Sequence, residues 1–270
     1  MKRGTMFVFF LAGCVLFPAR APLAGPGFLV EPYLQSPSPD GMTVMWESGD
    51  GNQRLEYWKD GYTPVVVPAS SVPGREIRFV SLTGLDSHTG YHYRVLTSEG
   101  AGAAYRFKTW PEPDDGVTSF KLVAFSDSQG NWPERLQDIC ENGIIDKECR
   151  DGVAEHCPDD IAGVLVTGDL VSSGDQVNQW RDEFFGMCGR LFRYVPILPA
   201  MGNHDEPFVN YREYFTLPDN GDILRGEDWY TLDCLNVRII TLNTNILWPS
   251  QNVWYDDLLS SSRLDPAIDF

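Results

Sequence analysis

The sequence predicts two folded regions in tandem, an all-β sandwich over residues 26–109 and an α/β domain over 117–270. Short alternating apolar runs recur between turn dipeptides in the first stretch. Strand-like and helix-like apolar patterns alternate in the second. The length, 270 residues, suits about two domains, and 25 Gly and 19 Pro supply the turns that both classes need. With 43% apolar and 22% charged residues the composition is globular. A net charge of −17, from 21 basic and 38 acidic residues, argues against nucleic acid and anionic membrane as main partners.

Residues 1–24 read as a secretory signal peptide. Lys2 and Arg3 precede an apolar run, Met6 to Phe17, which ends at Arg20 and is followed by Ala21, Ala24 and Gly25. The run is shorter than the roughly 20 residues of a membrane span. Leu11-Ala-Gly-Cys14 also resembles a bacterial lipobox, which would put a lipid anchor on Cys14; against it, Val15-Leu-Phe17 is apolar where a polar tether is expected. The expected location is therefore secreted, periplasmic or cell-envelope. Export exposes cysteines to oxidation. Five remain beyond Cys14, an odd number whose pairing the sequence leaves open. Cys140, Cys149 and Cys157 cluster within residues 138–160 and predict a stapled loop rather than a zinc site, because His156 lacks a paired ligand spacing.

In the first region, strands are expected at Met42–Trp46, Leu55–Trp58, Ile77–Leu82, Tyr91–Leu96 and Ala104–Thr109, punctuated by Asp40-Gly41, Asp60-Gly61 and Glu99-Gly100. Leu85-Asp-Ser-His-Thr-Gly-Tyr91 resembles the tyrosine corner of fibronectin type III domains, in which the Tyr hydroxyl bonds back to upstream backbone. His88 and His92 read as surface or strand residues. Trp110 to Gly116, with two Pro, reads as the linker.

The second region opens with a buried strand, Phe120–Phe125, breaking into Ser126-Asp127-Ser128-Gln129. Pro133 suits the first turn of a helix toward Ile139. A second strand, Ala162–Thr167, ends in Gly168-Asp169. Val177, Trp180, Phe184, Met187, Cys188 and Leu191 mark a long helix. The extended segment Val195–Ala200 breaks at Gly202-Asn203-His204-Asp205. Strands at Trp229–Leu232 and Val237–Leu242 and an amphipathic helix from about Asn252 complete the pattern.

Three polar clusters thus sit at the C-terminal ends of successive apolar strands, the edge where α/β sheets build ligand sites. Asp127, Gln129, Asp169 and Asn203 are oxygen donors for a hard or borderline cation. An Asp shared by two ions suits in-line phosphoryl displacement. His204 could protonate a leaving oxygen and Asp205 could orient it. Gly-Asp alone carries nothing, since it occurs four times; Gly-Asn-His-Asp after a strand is far more specific.

With these motifs the chain resembles the calcineurin-like metallophosphoesterases over 117–270. With the sandwich, whose Pro32-Tyr-Leu-Gln35 and Trp46 also fit, it resembles bacterial purple acid phosphatase-like proteins over 26–270. The resemblance implies two metal ions (Fe, Mn, Zn or Mg), with Asp127 and Gln129 on the first, Asp169 bridging and Asn203 on the second. It implies His204 as catalytic imidazole with Asp205 as partner, and hydrolysis of a small phosphate monoester or diester by a metal-bound hydroxide at a dinuclear site. Two departures follow. Ser172 stands where purple acid phosphatases carry a Tyr, so no charge-transfer colour is expected. The chain has four His, and the family's downstream lone His and Gly-His-x-His are absent. Gln251–Leu259 resembles the helix before those ligands. The expectation is an α/β domain incomplete at its C-terminus, with uncovered apolar faces that favour poor solubility or oligomerisation. A non-catalytic envelope protein with a vestigial phosphoesterase domain is the rival. A Ser hydrolase is weakly supported, because no Gly-x-Ser-x-Gly is present.

Overall fold

A computed structural model describes residues 27–130, 133–221, 226–245, 249–266 and 268. The expected signal peptide and Cys14 lie outside them. In chain order the strands are β1 (Phe28–Gln35), β2 (Met42–Ser48), β3 (Arg54–Trp58), β4 (Val65–Pro68), β5 (Ser70–Ser71), β6 (Ile77–Leu82) and β7 (Gly90–Thr97). There follow β8 (Gly100–Ala101), β9 (Tyr105–Lys108), β10 (Leu122–Phe125), β11 (Gly163–Val166), β12 (Ile197–Pro199), β13 (Tyr230–Cys234) and β14 (Val237–Thr241).

A seven-stranded mixed sheet has the order β10-β11-β12-β1-β2-β6-β5. Its α/β part is parallel, with Leu122 opposite Gly163 and Val164 opposite Ile197. β1 joins β12 in parallel through Gln35 and Ile197 and runs antiparallel to β2. A second sheet, β4-β3-β7-β8 with β9 on β7, is antiparallel. The main sheet therefore passes from the strand-rich N-terminal region into the α/β region. Local periodicity cannot register such a pairing, and β1, β4, β5 and β8 were not among the expected strands.

Side-chain alternation along a strand explains how one sheet serves two cores. Every residue of β2 is buried. Val44 and Trp46 face Leu55, Tyr93, Val95 and Phe107 of the second sheet. Met45 instead joins Tyr33, Val164, Val166, Ile197, Trp180, Phe184 and Tyr214 in the larger α/β core. The corner expected at Tyr91 forms: the Asp86 amide donates to its hydroxyl at 2.9 Å. Trp110, placed in the linker by its sequence context, is buried, and its indole donates to the Ala162 carbonyl at 2.8 Å.

The helix at Pro133–Asp138 continues in π winding over Ile139–Ile145. The long helix expected from Val177 to Leu191 runs as Val177–Gln179, a π-wound Trp180–Phe185, and Gly186–Phe192. Disulfides join Cys149 to Cys157 and Cys140 to Cys188. The first staples the 138–160 loop within itself, and the second ties it to the long helix. Cys234 is free and buried, and burial pushes its thiol up to about 12.

The strands expected at 229–232 and 237–242 form, whereas the last helix differs from expectation. β13 and β14 pair only with each other among the described residues. The last helix, Pro249–Ser262, buries Gln251 and Ser262 rather than an apolar stripe, while Val253 is 62% exposed. Polar contacts dock it. Gln251 Oε1 accepts from the Asn243 amide at 2.8 Å and its Nε2 donates to the Asn243 carbonyl at 3.1 Å. Trp254 donates to the Asn220 carbonyl at 2.9 Å. Among the described residues no helix is long and apolar enough to cross a membrane.

Candidate functional site

The three parallel strands β10, β11 and β12 end side by side, and each breaks into one of the polar clusters. Asp127 follows β10 with φ 53°, and Asp169 follows β11 with φ 54°. Left-handed backbone is uncommon for a non-glycine residue, and Asp tolerates it better than most. In both places it turns the chain abruptly off the strand. Gly168, φ 102°, precedes Asp169 and lies so close to Gly202 that a Cβ would stand 2.9 Å from the Gly202 Cα.

Backbone bonds lace the loops together. The Asp127 amide donates to the Gly168 carbonyl at 3.3 Å, and the Gln129 amide to the Asp169 carbonyl at 3.2 Å. The His204 amide donates to Asp169 Oδ1 at 2.9 Å, and the Gly174 amide to the His204 carbonyl at 2.8 Å. Gly202 and Gly174 allow this approach: a Cβ on Gly202 would overlap the Asp169 amide, and one on Gly174 the Asp205 carbonyl.

Asp127, Gln129, Asp169, Asn203 and His204 stand on adjoining loops at one sheet edge. Gln129 Nε2 donates to Asp169 Oδ2 at 3.2 Å. Its Oε1 is buried and has no hydrogen-bond partner. A buried acceptor left open costs free energy unless a donor or a cation meets it. Asp127, Asn203 and His204 are exposed.

Asp205 differs from expectation. It is fully buried, and its carboxylate accepts from the amides of Leu170 at 2.8 Å, Val171 at 3.3 Å and Gly202 at 2.8 Å. These bonds clamp the Asp169 loop to the Asn203 loop. The His204 ring turns the other way: its Nδ1 lies 3.0 Å from the Ser172 carbonyl. The Asp205 carboxylate thus serves three backbone amides, and the His204 Nδ1 meets the Ser172 carbonyl instead. Burial pushes the Asp205 carboxyl up to about 6, against the pull of the three amides and with the help of the Asp169 charge.

The donor set fits a hard cation. It comprises two carboxylates and two amide oxygens, one of them the open Gln129 Oε1. Among the described residues no group of three or more His, Cys, Asp or Glu is placed to hold a metal, so the set depends on its amides. A cleft of about 650 Å³ lined by His88, Lys108, Trp110 and Phe120 lies elsewhere and contains none of these residues.

Sequence reasoning missed Glu183. Ser172 donates to Glu183 Oε2 from its amide at 3.1 Å and from its hydroxyl at 2.9 Å. Its sequence context, an acid on a helix with helical apolar spacing, is that of any solvated face.

The family model for calcineurin-like phosphoesterases matches residues 120–267. Uncharacterized proteins from two strains of Mycobacterium tuberculosis are 26% identical over 275 residues, covering 85% of this chain and 50% of theirs. The chain thus spans about half the length of the curated relatives it matches. Among solved structures, a purple acid phosphatase from yellow lupin (Lupinus luteus) seeds aligns with TM-score 0.64 at 20% identity, over 85% of this chain and 48% of that one. PhoD aligns with TM-score 0.59 at 14% identity, over 81% of this chain and 52% of its own. These likenesses establish the mixed α/β fold. The family match spans more than half of the sequence and includes every strand-end motif, and by it the chain belongs to the calcineurin-like phosphoesterase family.

Proposed function

We propose that this chain carries an exported phosphoesterase site that hydrolyses a small phosphate monoester or diester with two metal ions. The observation that carries this is the meeting of Asp127, Gln129, Asp169, Asn203 and His204 at one sheet edge, with an open acceptor, Gln129 Oε1, buried among them. Asp127 and Gln129 would hold one cation, Asp169 would bridge, and Asn203 would reach the second. Bound cations supply Lewis-acid polarisation of the phosphoryl oxygens. The chain's own contributions are positional and protonic. Asp169 is held by the His204 amide, so its carboxylate is aimed before anything binds. The His204 Nδ1 bonds the Ser172 carbonyl, so in the doubly protonated ring Nε2 is the nitrogen left to give a proton to a leaving oxygen. Asp205 keeps the two loops in register. The two disulfides support an oxidising compartment.

Metal content is the test. The chain from Gly25 to Phe270 would be dialysed against trace Mn, Zn and Fe and measured by mass spectrometry, with p-nitrophenyl phosphate as substrate. Close to two ions per chain, with ions and turnover both lost in Asp169→Asn, is the expected result. No bound metal and no turnover would move the assignment to a non-catalytic envelope protein. The observation favouring that rival is that the described site offers only two carboxylates and no His beyond His204.

A further inference from the structure

We propose that Glu183 is a positioning residue for His204, acting with Gln179 through the Ser172–Ser173 segment. This deepens the assignment of His204 above. The segment belongs to an irregular loop that follows Asp169. Its shape is set from outside, by the helix that begins at Val177. Glu183 Oε2 accepts from both the amide and the hydroxyl of Ser172, at 3.1 and 2.9 Å. Gln179 Oε1 accepts from the Ser173 amide at 2.6 Å. Gln179 and Glu183 are four residues apart and so share a helix face.

The peptide between Ser172 and Ser173 is the one whose carbonyl meets His204 Nδ1 at 3.0 Å. Its amide is held by Gln179, its carbonyl by the imidazole, and the residue carrying that carbonyl by Glu183. Hydrogen bonds at both ends of one peptide polarise each other. A carbonyl oxygen only accepts, so the ring nitrogen facing it must carry the proton. The geometry assigns neutral His204 the Nδ1–H tautomer, with the Nε2 lone pair directed away from the loop.

The helix bearing the two side chains is itself anchored. The Trp180 indole, fully buried, donates to the Gly174 carbonyl at 2.9 Å. Arg181 makes two bonds to the buried Glu47, at 2.9 and 2.8 Å. The π winding over Trp180–Phe185 places Arg181 and Glu183 on their separate tasks within a single turn, and such windings are frequent at functional sites.

Long-range ¹⁵N–¹H correlation of the histidine rings at pH 8, with His204→Gln assigning the signal, reads the tautomer without any turnover. Its outcome therefore stands apart from the phosphoesterase assignment. The parent chain should show the Nδ1–H form in excess. Glu183→Ala should invert the ratio toward the Nε2–H form that free histidine prefers, and Glu183→Gln, whose Oε1 still accepts both bonds, should restore it. Gln179→Ala should shift the ratio part of the way. An Nε2–H majority in the parent chain overturns the proposal whatever the variants do. So does a folded Glu183→Ala with an unchanged ratio. Should that variant fail to fold by circular dichroism, the parent tautomer and Gln179→Ala decide: an Nδ1–H majority that Gln179→Ala reduces supports the proposal, and an unmoved ratio overturns it.

Discussion

Gly202 shows how one absent methyl group sets a site. Its Cα lies where the Asp169 amide and carboxylate pass, and a side chain there would push the two loops apart. Gly202→Ala should cost about 1–3 kcal/mol in urea unfolding, as over-packing does. Metal retention should fall with it, since Asp169 is the residue displaced. Glu227 offers a test by titration. Burial pushes its carboxyl up to about 7, opposed by the Leu217 amide and reinforced by Asp219 and Asp228. The folded chain then holds this proton more tightly than the unfolded chain, whose carboxyl titrates near the ordinary 4.5. The stabilisation is full below about pH 4.5 and is lost as pH rises through 7. Glu227→Gln keeps the acceptor for Leu217 and removes the titration. The variant should melt with the parent near pH 4.5 and be the more stable by about 1–3 kcal/mol at pH 7.5.

At the scale of elements, much of the site was legible because its chemistry is local. Asp127, Asp169 and the Asn203-His204 pair follow apolar runs directly, and a strand that breaks into Asp or Gly-Asn-His-Asp is a short-range signal. What the sequence concealed depended on side chains meeting across the fold. Asp205 has the right spacing to serve His204, yet its burial against the amides of Leu170 and Val171 gives it to the backbone. Glu183 carries no motif, and its role appears only when the helix is packed against the Ser172 loop. The helix Pro249–Ser262 misled for a related reason. Its apolar residues suggested a core-facing stripe, whereas Gln251 anchors it through the Asn243 backbone.

Across the whole molecule, a buried carboxylate joins the N-terminal strands to the α/β region. Glu47 on β2 is 1% exposed and accepts from Arg181 twice and from the Tyr214 hydroxyl at 2.9 Å. Removing one partner of a buried pair strands the other. Glu47→Ala should cost about 3–5 kcal/mol, read as a shift in the urea midpoint, and a shift within error of zero would show the pair to be dispensable. Nearby, Tyr33 donates to the Tyr214 carbonyl at 2.6 Å and Gln35 accepts from the Thr216 amide at 2.7 Å. This seam was invisible to a reading that treated residues 26–109 and 117–270 separately, because its partners stand far apart along the chain.

The placement of β1 against β12 bears on what happens when the backbone is broken. Residues 112–116 are exposed, so a protease has access there, yet β1 from before the cut pairs with β12 from after it within one sheet. A nicked chain should still elute as one species and come apart only in denaturant. The two pieces, produced separately, should reassociate when mixed, each supplying a sheet edge that the other completes.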